Sequence, residues 1–313
     1  MSALDVTVAV FYTLVFPGLL FTGVVGLLLT WVDRKVTAIV QSRVGPPWYQ
    51  PFADVGKLLA KRMVIPRGAP ALGFLAAPLL AITGATLSAA IVFQAVFKPE
   101  EGFIGDLIVL VYLTALPAIG LIVGGASSRS PFGAVGASRE MSLILAYEAG
   151  FLLALSTVVV HAGSIRLADV NLAQLLEGPI VWSPSGLLAM AVLLVCVQAK
   201  LGFLPFDISE AETEIIGGPL AEYSGVGLGL FKLSRAMMFL VLPALVVVLF
   251  WGPVTATPAS LVAFLAKLLV VEVLLIVAKV THARVRLDQA LRFFWGKVVV
   301  VGLLAAALAV IGL

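Results

Sequence analysis

Long uncharged apolar stretches alternate with short polar connections along the whole chain. Residues 6–31 and 239–266, for example, contain no acidic or basic side chain. A helix needs about 20 apolar residues to cross the ~30 Å hydrocarbon layer of a bilayer, and core helices of soluble proteins do not need such runs. A β-barrel would show short alternating segments instead. The pattern therefore predicts an all-α, polytopic integral membrane protein.

We expect about eight transmembrane helices, with boundaries set by the apolar periodicity and the flanking polar residues. They cover residues 8–31, 71–97, 104–125, 139–161, 183–204, 225–250, 258–280 and 297–313. No internal repeat is visible, which argues against the inverted-repeat secondary transporters. Residues 1–313 are thus predicted to form a single transmembrane domain.

Basic residues in the connections predict the orientation. The first, third and seventh connections contain most of them: Arg34, Lys35, Arg43, Lys57, Lys61, Arg62, Arg67, Arg129, Arg139, Arg284, Arg286 and Arg292. By the positive-inside rule the odd-numbered connections face the cytoplasm and both termini lie outside. We expect the chain in the cell (plasma) membrane.

Composition limits the chemistry that the chain can perform by itself. Hydrophobic residues make up 61% of the chain and charged residues 12%, with one Cys and two His. The chain lacks the Cys clusters that hold iron–sulfur centres and the Cys/His spacing that holds zinc. We therefore expect no cofactor or metal in this chain and no nucleic-acid partner.

The first connection, residues 32–70, is longer than a simple loop. Gly45, Pro46 and Pro47 favour an extended or turned backbone, because proline disfavours helix at the residue before it. Residues 53–63 place several apolar side chains on one helical face. The sequence predicts a cytoplasmic connection that contains a short amphipathic helix near the membrane.

An acidic connection, residues 205–224, separates the fifth and sixth spans. It contains no Lys or Arg, and its five acids are Asp207, Glu210, Glu212, Glu214 and Glu222. Closely spaced carboxylates repel one another and take up protons more readily, which predicts a proton relay. The alternative is a solvated loop, but interspersed apolar residues indicate that something covers this segment. Glu210 and Glu214 share a face if the segment is helical.

Two acidic residues interrupt the predicted fourth span. Glu140 and Glu148 are eight residues apart, so they lie about 12 Å apart along the helix and on one half of its surface. A carboxylate in a membrane costs free energy unless it pairs, protonates or faces water, so both are candidate functional residues. The alternative for Glu140 is an interfacial position at which it neutralises Arg139.

The remaining charged residues in spans allow more than one interpretation. Glu272, in the seventh span, is either a functional acid or part of a structural ion pair with Lys279, which shares its face. Lys232 and Arg235 either extend to the membrane surface or hold counter-charges in a polar channel. We expect Lys200, at the end of the fifth span, to extend to the surface.

Three motifs together resemble one family. They are GPPWYQPFADVGKLL (45–59), AYEAG (146–150) and FDISEAETEIIGGPLAEYSG (206–225). The chain is similar over nearly its whole length to the complex I membrane subunit known as NADH dehydrogenase subunit 1, or the H subunit. In that family the subunit joins the cytoplasmic redox arm to the membrane arm, and its acids line a path towards antiporter-like pumping subunits.

The resemblance implies roles for particular residues. The implied proton pathway contains Glu140, Glu148, Asp207, Glu210, Glu212, Glu214, Glu222, Lys232, Arg235 and Glu272. The implied docking surface for the redox subunits contains Arg34, Lys35, Arg43, Trp48, Asp54 and Lys57. No residue of this chain is expected to be catalytic, so the chain would be a non-catalytic subunit of an oxidoreductase complex.

The motifs GGPLAEYSG (217–225) and SRSPFGAVGASREM (128–141) look like one branch of the family. This branch contains energy-converting membrane-bound nickel–iron hydrogenases, of group 4, and the closely similar sulfane sulfur reductase complexes. It implies hydrogenase-like large and small subunits and an iron–sulfur subunit, which would hold the nickel–iron and iron–sulfur centres. Antiporter-like membrane subunits and membrane lipid are the other implied partners.

Three other functions remain open from the sequence. The chain could be the quinone-binding H subunit of a complex I-type dehydrogenase, although its Gly218-Pro219-Leu220 departs from the quinone-reducing members. It could be a stand-alone ion transporter, against which the lack of repeats weighs. It could also be a scaffold for redox partners in which the buried acids are only paired.

Overall fold

The described part of the structure comprises residues 3–98, 102–255 and 257–313 of a computed structural model, without the side chains of residues 3–6, 8, 9 and 212. Glu212 therefore lies outside the described side chains. These residues form a helical bundle without a strand, which confirms the predicted all-α membrane class. The helices are α1 (Ala3–Leu14), α2 (Leu19–Val40), α3 (Gln50–Leu59), α4 (Ala71–Phe97), α5 (Asp106–Ser127), α6 (Pro131–Ala162), α7 (Leu167–Glu177), α8 (Pro184–Lys200), α9 (Glu212–Ile215), α10 (Gly225–Phe250), α11 (Pro258–Thr281), α12 (Leu287–Phe293) and α13 (Val299–Ile311).

Seven stretches of the described chain are long and apolar enough to cross a bilayer. They are Val10–Val40, Ala71–Phe97, Asp106–Ser127, Pro131–Ala162, Gly225–Phe250, Pro258–Thr281 and Leu287–Ile311. The fifth of the eight expected spans is helix α8, which has 17 residues and is shorter than the others. It is short because the chain turns after Lys200, so the last apolar residues of the predicted span lie in a turn.

The first span differs most from its predicted bounds. Two helices replace the single helix expected over residues 8–31, and α2 continues to Val40. The prediction ended at Trp31 because charged residues follow it. The helix continues for about another 13 Å at ~1.5 Å per residue, and the first of those charges, Asp33, is buried in an ion pair.

Helix α10 forms the centre of the bundle, and every residue of 236–250 is buried. A side chain in its first half anchors it to α4, since Ser234 donates a hydrogen bond to the Ala81 carbonyl at 2.9 Å. Tyr223, just before α10, donates to the Phe74 carbonyl at 2.9 Å and stacks on the Phe74 ring. The chain that enters α10 is therefore fixed against α4.

The acidic connection folds back into the bundle instead of extending from it. It contains the single turn α9 and a 3₁₀ turn over residues 218–220, and it packs against α5 and α6. A Cβ on Gly136 of α6 would lie 2.5 Å from Cδ of Pro219, so only glycine permits this approach. Ile208 and Ile215 of the connection are buried. The bundle itself provides the cover that the apolar residues indicated.

Candidate functional site

A cavity of about 510 Å³, here the chamber, lies at the end of the bundle where α2 ends and α10 begins. We refer to this end as the basic end. Helices α2, α3, α10 and α11 and residues 202–213 form its walls. Apolar parts of the wall come from Leu27, Phe203 and Phe239. Its charged residues are Asp33, Arg34, Asp54, Asp207, Glu210, Lys232, Arg235, Lys279 and Arg284.

Each acid that lines the chamber is paired with a base that lines it. The pairs are Asp54 with Arg34 at 2.9 Å, Asp33 with Lys279 at 2.7 Å, Asp207 with Arg284 at 2.7 Å and Glu210 with Arg235 at 2.6 Å. Lys232 is the fifth base, and no ion pair of this residue occurs among the described residues. Five bases against four acids give the chamber wall a formal charge of +1.

The pair of Glu210 and Arg235 separates the chamber from a second, smaller cavity. This inner cavity has a volume of about 60 Å³, and both side chains line it as well as the chamber. Since a site needs only about 10–15 Å³ to hold one water, the inner cavity has room for a few water molecules. The Arg235 guanidinium also donates to the carbonyls of Leu201 and Gly202, each at 3.2 Å. These bonds fix the turn after α8.

Glu140 lines the inner cavity from α6. Its side chain is 5% exposed and accepts a hydrogen bond from Ser209 of the acidic connection. Arg139, the neighbour that Glu140 was expected to neutralise, pairs instead with Glu214. Glu140 is therefore a buried acid without an ion pair among the described residues, beside a cavity that can hold water.

Lys200 connects the inner cavity to Glu148. It lines that cavity, and its Nζ lies 2.5 Å from Oε1 of Glu148. The expectation that Lys200 extends to the surface is wrong, because its side chain is only 1% exposed and lies over the Phe151 ring at 4.2 Å. A buried carboxylate at this depth requires a counter-charge, which Lys200 supplies. The Glu148 side chain is 18% exposed, although its Oε2 is buried without a hydrogen-bond partner in the described part of the structure.

Glu272 lies in α11, outside both cavities. It is fully buried, and neither of its carboxyl oxygens has a hydrogen-bond partner in the described part of the structure. The alternative of an ion pair with Lys279 does not hold, because Lys279 pairs with Asp33. Glu272 lines neither cavity, and it lies seven residues, or about 10 Å of helix, from Lys279.

The acids of the acidic connection point in different directions. Glu210 precedes α9 and faces Arg235, whereas Glu214 lies on α9 and pairs with Arg139 at 2.6 Å, so the two do not share a helical face. The hydrogen bond from Arg139 lowers the pKa of Glu214 below its ordinary value. Glu222 is exposed and lines neither cavity.

The residues of the implied docking surface surround the outside of the basic end. Arg43, Trp48 and Lys57 are exposed, Lys35 is half-buried, and Arg34 is engaged by Asp54. Burial pushes the pKa of Asp54 upward, but hydrogen bonds from Arg34 and Gln50 outweigh it and hold that pKa below its ordinary value. This exposed basic surface and the chamber therefore occupy the same end.

The acids were visible in the sequence, whereas most of their partners were not. Arg139, Lys200 and Arg284 each pair with a residue more than fifty positions away. Their one signal in the sequence is that each lies near the basic end of a span. In the described part of the chain, no group of three or more His, Cys, Asp or Glu side chains could hold a metal ion.

The sequence comparisons with known proteins all point to one family. A sequence profile described as NADH dehydrogenase matches residues 13–310. The H subunit of NADH-quinone oxidoreductase from Carboxydothermus hydrogenoformans is 35% identical over 281 residues, which cover 86% of this chain and 79% of that protein. The protein of the same name from Ruthia magnifica is 34% identical over 307 residues, which cover 90% and 84%.

The fold is also similar to a solved structure. The similar chain belongs to the membrane-bound sulfane sulfur reductase, an archaeal respiratory membrane complex. It superposes with a TM-score of 0.85 at 28% identity, and the match covers 96% of this chain and 98% of that chain.

Proposed function

Since the chain belongs to the NADH dehydrogenase subunit 1 family, we propose that its chamber and buried acids form a proton path that couples redox chemistry to ion translocation. The chain is a multi-pass membrane subunit of a complex I-like respiratory complex. The basic end faces the cytoplasm by the positive-inside rule, with both termini outside and the complex in the plasma membrane.

The main observation that supports this proposal is that the charged groups form a continuous series from the chamber to Glu148. Glu210 and Arg235 line both cavities, and Lys200 lines the inner cavity while it pairs with Glu148. A proton that enters the chamber therefore meets Glu210, the water-sized inner cavity, Glu140 and finally the pair at Glu148.

The pair of Lys200 and Glu148 makes the last step sensitive to charge. A proton that reaches Glu148 neutralises its carboxylate and removes the counter-charge of Lys200. A buried ammonium without a partner is costly, so the protonated state of Glu148 persists only while other charges compensate. A change of charge at a partner redox site near the chamber would shift Glu210 and Arg235 and so change the proton affinity of this pair.

Partner subunits would bind at two separate surfaces of this chain. Redox subunits with nickel–iron and iron–sulfur centres would dock at the basic end on Arg34, Lys35, Arg43, Trp48, Asp54 and Lys57. An antiporter-like subunit would receive protons from Glu148, whose side chain is 18% exposed. This partial exposure of Glu148 favours a path that continues in a neighbouring subunit over stand-alone transport.

Four further acids of the proposed pathway have different roles. Asp207 pairs with Arg284 on the chamber wall, and Glu272 is a separate proton-binding group below the pair of Asp33 and Lys279. Glu222 is exposed and would act at the interface with a redox subunit. Glu212 would act at the same interface.

A second candidate function is quinone binding in the chamber. The apolar parts of its wall, Leu27, Phe203 and Phe239, favour this candidate. The relatives quoted above are named as quinone oxidoreductase subunits, whereas the similar solved chain belongs to a sulfane sulfur reductase. A quinone analogue that slows electron transfer in membranes would support the second candidate over a hydrogenase-like or sulfur-reducing complex.

Replacement of Glu148 by Gln in the intact complex tests the proton path. In sealed vesicles we expect most of the proton gradient formed per electron to be lost, because Gln cannot carry a proton at this position. Glu177→Gln, at an exposed acid of α7, is the matched control and should leave the gradient unchanged. An unchanged gradient in Glu148→Gln contradicts the proposed path.

A further inference from the structure

A groove of about 620 Å³ lies on the outer side of the bundle between α8, α11 and α12. Its apolar walls come from Leu194, Val195, Phe206, Leu274, Leu275 and Phe293. None of the residues that line the groove lines the chamber or the inner cavity. The groove is therefore a separate site that the proton path does not use.

The groove runs along the membrane normal. Leu274, which is 51% exposed, opens it to the outer surface of α11, and His282, just beyond α11, lies at its other end. These residues are eight positions apart, or about 12 Å along a helix. The groove thus extends from the hydrocarbon layer to the membrane surface at the basic end, parallel to lipid chains.

One polar side chain lines the groove within the membrane. Gln198 is 4% exposed, and its Nε2 donates to the carbonyls of Leu204 at 2.6 Å and Leu275 at 3.3 Å. These two bonds fix the orientation of the amide. Its Oε1 is buried without a hydrogen-bond partner in the described part of the structure. Such an acceptor requires a donor, which a hydroxyl or a bridging water supplies.

Two arginines lie near the surface end of the groove, although neither lines it. Gln289 lines the groove, and Arg286, immediately before α12, and Arg292, in its last turn, are three residues before and after it in sequence. Both arginines are exposed, and Arg286 pairs only with Asp288, at 3.8 Å, among the described ion pairs. Arginine binds phosphate through paired N–H donors, so this end favours an anionic headgroup.

We propose that this groove binds one anionic phospholipid of the leaflet at the basic end. The acyl chain lies against Leu274 and Leu275, and the phosphate lies between Arg286 and Arg292. A water molecule that donates to both the ester carbonyl and Oε1 of Gln198 satisfies the buried acceptor. The lipid also contacts Phe206, the residue before Asp207, and so supports the start of the acidic connection.

Lipid retention by the purified complex tests this site. The complex is equilibrated with equal amounts of phosphatidylglycerol and phosphatidylcholine, and native mass spectrometry counts and identifies the lipids retained. We expect Leu274→Trp, which fills the groove, to retain one phosphatidylglycerol fewer than the unmodified complex. Leu265→Trp is the matched control, because Leu265 lies on the same helix, is 54% exposed and does not line the groove.

A second variant separates the headgroup site from the chain site. Arg286→Gln with Arg292→Gln should keep one lipid but lose its headgroup preference by roughly 30-fold, or ~2 kcal/mol at about 1 kcal/mol per basic residue. Equal lipid retention in Leu274→Trp and Leu265→Trp overturns the proposal. An unchanged headgroup preference in the double variant also overturns it. The same holds if a quinone or a helix of a partner subunit occupies the groove in place of the lipid.

Discussion

Removal of the Lys200 ammonium by Lys200→Met leaves Glu148 without its counter-charge. The lysine side chain is 1% exposed and Glu148 is 18% exposed, so water cannot replace the lost partner fully. Breaking a buried ion pair costs about 3–5 kcal/mol, and we expect a value near 3 kcal/mol because Glu148 retains some exposure. The double variant Lys200→Met with Glu148→Gln removes both charges and should recover most of that loss.

Thermal unfolding of the purified complex measures the four members of this double-mutant cycle. A coupling free energy of about 2–3 kcal/mol between the two positions is expected for groups in direct contact. The double variant should assemble but should not move protons, because Gln cannot carry one. If Lys200→Met is as stable as the double variant, the two side chains do not form a buried pair and the last step of the path loses its basis.

Three other changes have defined outcomes. Gly136→Ala places a Cβ 2.5 Å from the Pro219 ring and should lower stability by about 1–3 kcal/mol. Gly296→Ala is the control, because a Cβ there has no other atom within 4 Å and should leave stability unchanged. Thermal unfolding compares the two variants. The stabilisation that Glu214 gains from Arg139 should be present above the ordinary pKa of a glutamate, about 4.3, and should disappear as pH falls through the lowered pKa. Unfolding of Glu214→Gln and the unmodified complex, compared at several pH values, measures this, and a difference that persists in acid contradicts it. Glu272→Gln should preserve stability and remove one protonated-carboxyl band from the infrared spectrum. It should also lower the proton gradient less than Glu148→Gln does. An equal loss of the gradient in the two variants would place Glu272 on the main path.

The membrane architecture could be predicted because apolar runs record burial in lipid directly. The helix starts at residues 184 and 258 also follow from sequence, because Ser183 and Thr257 each cap a helix that begins with proline. The extension of α2 to Val40 could not be predicted, since Asp33 is acceptable within the helix only through Lys279, far along the chain.

The acids of the site could be detected from the sequence, whereas their basic partners could not. Glu140 and Glu148 stand out because carboxylates are rare among apolar residues. Lys200 did not, because a lysine at the end of a span usually extends to the membrane surface. Its inward direction depends on how α8 packs against α6, and a single sequence does not contain that information.

The complete pairing of acids in the chamber has an electrical consequence. Four neutral pairs and one further cation, Lys232, give the wall many dipoles and a small net charge. Because these pairs are held in fixed positions, they reorient around an added charge less than water does and screen it less. One unit of charge on a partner therefore acts more strongly at Glu140 than it would across bulk water, without any ion crossing the space between them.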